Sequence, residues 1–134
     1  HVYSVDLNTR QVLDLTPLDK VAAQIDSASE KFPLEILISL NDRNPQFHDI
    51  YRVNIATGER MLLIKNEGFA GIMCDDDFNV RFGMKFSPLD GGVQVLERTA
   101  DGQWKDFDKI PMEDAMTTRP AGFDKSNKNA YMLD

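Results

Sequence analysis

The chain repeats itself, and a repeat limits the available folds more than any single motif does. Val2-Tyr3-Ser4-Val5-Asp6-Leu7-Asn8-Thr9 lies over Ile50-Tyr51-Arg52-Val53-Asn54-Ile55-Ala56-Thr57. Val2 matches Ile50, Tyr3 matches Tyr51, Val5 matches Val53, Leu7 matches Ile55 and Thr9 matches Thr57. A polar turn and a second apolar run follow each copy, Val12-Leu13-Asp14-Leu15 in one and Met61-Leu62-Leu63-Ile64 in the other. β-Branched and aromatic residues in period-two alternation around a short polar turn predict a β-hairpin. In the second copy Gly58 supplies the positive φ that such turns often need. A third unit runs Val93-Gln94-Val95-Leu96-Glu97-Arg98, turns at Ala100-Asp101-Gly102 and returns through Trp104-Lys105-Asp106-Phe107.

The hairpins begin at residues 2, 50 and 93, intervals of 48 and 43 residues. Several short strands recurring every 40–50 or so residues are the mark of a propeller blade, and leucine-rich solenoids have shorter periods. The intervening segments supply further strands. Leu34–Leu40 reads as one, Phe69–Cys74 as another, and Val80–Phe86 alternates cleanly beyond the acidic turn Asp75-Asp76-Asp77. Asp19–Phe32 is ambiguous: Val21, Ala23 and Ile25 alternate as in a strand, whereas Val21, Ile25, Ala28 and Phe32 line a helix face. The repeat favours the strand. Pro111–Ala115 suits a short helical turn, with Pro first and acids near the positive dipole end. Ala121–Tyr131 reads as strand, turn, strand. The fold class is therefore all-β, a β-propeller fragment of four-stranded antiparallel blades. Residues 1–16 form a half-blade, 19–65 and 69–109 two complete blades, and 117–134 a second half-blade.

Composition removes several function classes. Fifteen basic against 22 acidic side chains leave a net charge of −7, the wrong sign for nucleic acid or an anionic membrane surface. No apolar stretch approaches the roughly 20 residues that span a bilayer, and no signal-type apolar region is present. The compartment stays open. One cysteine, Cys74, allows neither an internal disulfide nor a cysteine-based zinc site, and it reads as an inert strand residue. No cofactor is expected.

Leu40-Asn41-Asp42-Arg43-Asn44-Pro45-Gln46-Phe47-His48-Asp49, continued through Ile50–Arg60, resembles the N-terminal β-propeller of prolyl-oligopeptidase-family serine peptidases. The likeness is nearest to the bacterial dipeptidyl aminopeptidase and acylaminoacyl-peptidase-like branch. Ile110–Asp124 is similar to that branch's link into its next blade. Phe123-Asp124-Lys125-Ser126-Asn127-Lys128 is similar to a common blade turn, although the usual Pro and Gly are missing. The resemblance implies a two-domain enzyme, in which an α/β-hydrolase domain carries a Ser-His-Asp triad and the propeller covers its mouth. Short peptides would pass and folded proteins would not. No catalytic residue transfers to this chain. The family's nucleophile sits in G-x-S-x-G, and none of the six serines (Ser4, Ser27, Ser29, Ser39, Ser87, Ser126) is so flanked. Two rival readings are a stand-alone propeller that binds proteins or ligands with no hydrolase attached, and a propeller that is itself a lyase or glycosidase.

The best site residues lie in Asn41–Asp49, read as the longest polar connection within a blade. Loops carry binding more often than strands do. Asp42, Arg43 and His48 are the candidate substrate-binding residues: Arg43 for a peptide carboxylate, Asp42 for an amine, with a solvated connector as the plain alternative. His48-Asp49 matches a triad only by residue type. Asp75-Asp76-Asp77-Phe78-Asn79 has oxygens at alternate positions, as a calcium loop does. That loop needs Gly at its sixth position and Glu at its twelfth, where this chain has Val80 and Phe86. It reads as an acidic turn, with no metal. Trp104 reads as a packing residue.

The chain starts at His1 with no Met, and both ends fall beside β-like sequence, so it reads as a piece of a longer protein. The expected partners are that protein's α/β-hydrolase domain and short peptides. The half-blades Val2–Leu15 and Phe123–Leu133 are complementary, one supplying outer strands and the other inner. An edge-paired homodimer is a further expectation.

Overall fold

The computed structural model describes residues 1–134 and is all-β apart from one 3₁₀ turn, Met112–Asp114. Two compact units follow one another, His1–Glu67 and Gly68–Asp134.

The first unit opens with a hairpin of β1 (Tyr3–Val5) and β2 (Val12–Asp14). A four-stranded antiparallel meander follows: β3 (Ala23–Ala28), β4 (Glu35–Asn44), β5 (Phe47–Asn54) and β6 (Arg60–Ile64), in sheet order β3-β4-β5-β6. The ambiguous Asp19–Phe32 segment thus contains a strand, and a bulge between Ile25 and Ser27 interrupts its pairing with β4. Hairpin and sheet share one core. Val2 and Leu15 are buried with Ile38, Leu40 and Val53, and Tyr51 and Ile55 pack on the periphery. The hairpin's base is pinned by the Leu15 N–H on the Val2 carbonyl at 2.9 Å and the Val2 N–H on Thr16 Oγ1 at 2.8 Å. Thr16 is buried, and its backbone is satisfied too: its N–H donates to Asp14 Oδ1 at 2.9 Å and its carbonyl accepts the Leu18 N–H at 2.7 Å.

The second unit mirrors that plan in the opposite order. A meander of β7 (Gly71–Cys74), β8 (Val80–Phe86), β9 (Val93–Arg98) and β10 (Trp104–Ile110) is followed by the hairpin of β11 (Arg119–Phe123) and β12 (Ala130–Leu133). Its core is Phe82, Val93, Val95 and Ile110, and Phe123 brings the hairpin onto it, stacked on Phe82 with ring centroids 5.9 Å apart.

The sequence repeat is also a repeat of turn chemistry. Asp6 Oδ1 accepts the N–H groups of Asn8 and Thr9, both at 2.8 Å, and Thr9 Oγ1 accepts that of Gln11. Forty-eight residues on, Asn54 Oδ1 accepts those of Ala56 and Thr57, and Thr57 Oγ1 that of Glu59. A side chain bonding its own backbone two and three residues ahead replaces the turn bonds that the strands no longer supply. Each turn needs one left-handed residue. The second copy uses Gly58 at φ 76°, and the first uses Arg10 at φ 63°, where a Cβ is unfavourable.

Gly83 has a packing role instead. A Cβ there would lie 2.5 Å from two carbons of the Phe69 ring, and Phe69 meets Trp104 with centroids 4.5 Å apart. The Phe69 ring therefore occupies the space a side chain at 83 would need, and it packs against the indole. Gly83→Ala is expected to cost about 1–3 kcal/mol of unfolding free energy by overpacking. Phe69→Leu in the same chain should recover part of the loss, and a urea double-mutant cycle measures that coupling.

Candidate functional site

Asp42, Arg43 and His48 do not sit on a loop. The segment read as a nine-residue polar connection is the paired end of a β-hairpin, with β4 extending to Asn44, β5 starting at Phe47 and only Pro45-Gln46 between them. The register runs from Leu40 opposite Asp49 to Asn44 opposite Phe47, so Asn41–Arg43 stand opposite His48 alone. That bulge bends the hairpin and re-aims its polar side chains. Side-chain bonds to the turn help hold the extension. Asn41 Nδ2 donates to the Pro45 carbonyl at 3.1 Å, and the Gln46 N–H donates to Asn44 Oδ1 at 2.9 Å.

The centre of the site is Asp49, which is 1% exposed. Arg43 grips it with both arms, Nε on Oδ2 at 2.8 Å and Nη2 on Oδ1 at 2.9 Å. The same Nη2 donates to the Asn66 carbonyl at 2.9 Å, and the Asn66 N–H donates to Asp49 Oδ1 at 2.7 Å. Paired donors on a planar carboxylate make the strong form of this contact. Burial alone pushes the Asp49 carboxyl up, but the Arg43 and Asn66 bonds outweigh it, and the net displacement is down. The Asp49 bond in turn raises Arg43. Asp42 is held separately: the Tyr51 hydroxyl donates to its carboxylate at 2.9 Å. Burial, and then the Asp42 bond, push the Tyr51 hydroxyl up to about 12. His48 Nε2 is buried and reaches no hydrogen-bond partner.

The structure thus brings Asp42, Arg43 and His48 onto one hairpin but gives them different surroundings. Arg43 spends Nε and Nη2 on the protein, and its half-exposed side chain keeps Nη1 outside these bonds. Asp49, Tyr51 and Asn66 are the residues that sequence reasoning missed. The available signal was Asp49, an acid followed directly by the strand run Ile50–Val53, since an aspartate buried at a strand end requires a partner.

The second unit has its own arginine knot. Asp75, 4% exposed, accepts the N–H groups of Asp77 and Asn79 on Oδ1, both at 3.0 Å, and Arg81 Nη1 on Oδ2 at 2.9 Å. Arg81 Nη1 also donates to the Asn127 carbonyl at 2.8 Å, and Asn127 Nδ2 donates to Asp77 Oδ2 at 2.8 Å. The acidic turn is thereby stitched to the β11–β12 turn.

Four-stranded meanders with such turn chemistry define a propeller-type segment, and its relatives are peptidases. The chain is 46% identical over 135 residues to dipeptidyl aminopeptidase BIII of Pseudoxanthomonas mexicana, matching all of this chain and 19% of that protein. It is 32% identical over 105 residues to dipeptidyl peptidase family member 6 of Caenorhabditis elegans, matching 73% of this chain and 14% of that protein. The chain therefore spans a fifth or less of the curated relatives it matches. The resemblance to dipeptidyl aminopeptidases read from the residues holds. No family model matches the chain, and no solved structure does.

Removing one member of the Asp49 pair leaves the other uncompensated. Asp49→Asn is expected to cost about 2–4 kcal/mol, at the lower side for a buried pair because Arg43 is partly exposed. Because the Asp49 carboxyl is displaced downward, its contribution is complete above the unfolded value near pH ~4 and disappears as pH falls through the folded value. Chemical unfolding across the acid range should therefore show a shallower pH dependence in Asp49→Asn than in the parent chain.

Proposed function

We propose that this chain is a non-catalytic propeller segment of a serine dipeptidyl peptidase, and that in the longer polypeptide it limits which substrates reach the hydrolase site. The observation that carries the reading is the alignment of the whole chain with only 19% of a dipeptidyl aminopeptidase. The residues agree with it: no serine here sits in a nucleophile elbow. Blade strands offer rigid walls, and rigid walls exclude by size without chemistry of their own. On the β4–β5 hairpin, Asp42 is the acceptor for a peptide amine. Arg43, oriented by Asp49, keeps Nη1 for a carboxylate.

Two measurements test this. The chain alone, offered dipeptidyl chromogenic substrates, should release no product above buffer, and turnover that survives repurification would overturn the non-catalytic reading. The longer polypeptide should cleave a short peptide and refuse the same N-terminus presented on a folded protein. Equal rates on both would overturn the gating.

A further inference from the structure

The β4–β5 hairpin holds one anion and one cation side by side. Asp42 and Arg43 are consecutive, so their Cα atoms lie about 3.8 Å apart. Consecutive residues of a regular strand point their side chains to opposite faces. These two do not. Tyr51 bonds Asp42 and Asp49 bonds Arg43, and Asp49 and Tyr51 stand two residues apart on β5, hence on one face. The bulge opposite His48 permits this, because its residues leave the regular alternation.

Each charged group is fixed, and each keeps capacity for a ligand. Both carboxylate oxygens of Asp42 accept from the Tyr51 hydroxyl, Oδ1 at 3.0 Å and Oδ2 at 2.9 Å. Oδ1 also accepts the Arg43 N–H at 3.0 Å, which leaves Oδ2 with a lone pair to spare. On Arg43, Nε and Nη2 are taken by Asp49 and Asn66, and Nη1 is not. Both residues are exposed. Of the other charges nearby, Glu67 acts on Arg43 and Lys65 on Asp49, so their effects on the site oppose each other.

We infer that the two groups form one site whose ligand is a free dipeptide, with its ammonium on Asp42 Oδ2 and its terminal carboxylate on Arg43 Nη1. The inference rests on the proposed reading of these residues and adds that one molecule satisfies both. Length selects the ligand. Asp49 and Tyr51 are about 7 Å apart along β5, and the charges they hold are separated on the same order. An extended dipeptide reaches about 7 Å, whereas the amine and carboxyl carbon of a single amino acid lie only about 2.5 Å apart. Charge then separates product from substrate. In an uncleaved peptide the second carbonyl is an amide. It becomes a carboxylate only when water adds across the bond, which also frees the amine of the remaining peptide. Arg43 Nη1 therefore favours the released dipeptide over the peptide that supplied it, and in the longer polypeptide the site retains product.

NMR titration of the chain tests this, with alanyl-alanine as the probe and the Arg43 Nε–H and the Asp42 and Tyr51 amides as reporters. Alanyl-alanine should bind about tenfold or more tighter than its N-acetyl form or its C-terminal amide, because each cap removes one charge-assisted contact. Alanine and trialanine should also bind more weakly. Asp42→Asn should lower the affinity for alanyl-alanine to that of the N-acetyl form. The Arg43 Nε–H resonance of that variant should stay where it is in the free parent, which shows the Asp49 pair intact. Reporters that do not move, equal affinity for capped and free forms, a preference for alanine or trialanine, or an Asp42→Asn chain that binds like the parent overturns the proposal. Binding to this chain is separate from gating in the longer polypeptide. Loss of size discrimination there overturns the gating and leaves the dipeptide site standing, and a negative titration here leaves size exclusion standing.

Discussion

Burying one face of a two-stranded hairpin against a four-stranded sheet is the interaction on which each unit depends. A lone hairpin is marginal in water, and β1–β2 escapes that limit because Val2 and Leu15 enter the core of Ile38, Leu40 and Val53. β11–β12 does so through Phe123 on Phe82. These contacts decide which face of every neighbouring strand is apolar. They also fix the outward direction of the side chains left on the hairpins. The exposed apolar residues of β1, β2 and β12 are the other side of that arrangement.

Polar chemistry locks the geometry that apolar burial only roughs out. Asp49 and Asp75 are nearly inaccessible acids, each paired with an arginine six residues away, and in each case that arginine also donates to the carbonyl of an asparagine from a distant segment. A buried carboxylate tolerates one arrangement of donors and penalises the others. The Arg43–Asp49–Asn66 knot thereby fixes how the β4–β5 hairpin leaves its sheet, and with it the positions of Asp42 and the remaining arm of Arg43. Any role this hairpin has in receiving a peptide rests on a scaffold that is electrostatic at its root.

The parts legible in the sequence were those written in local chemistry. The Asp6 and Asn54 turns are built from residues within five positions of one another, and the strands beside them alternate plainly. Asp19–Phe32 was ambiguous because β3 is only partly buried, so its pattern carries little period-two contrast. Asn41–Asp49 was read as a loop because nothing local shows Arg43 reaching Asp49 across a bulge, or Asn66 closing the same acid. The knot of Asp77 and Arg81 with Asn127 spans about fifty residues. Polar partners at that separation leave no periodic trace, whereas apolar faces do. The requirement for glycine at position 83 is of the same kind, since it depends on a ring fourteen residues away.

The account stands on the claim that hairpin and sheet form one cooperative core in each unit. Native-state amide exchange tests this directly, by comparing Leu15, whose N–H is bonded to the Val2 carbonyl, with Val53 in the sheet it packs against. If the two share a core, their protection should agree to within about tenfold and fall together with denaturant. A Leu15 amide that exchanges more than about a hundredfold faster than Val53 would mean that the hairpin opens independently. That result would contradict the account at its root.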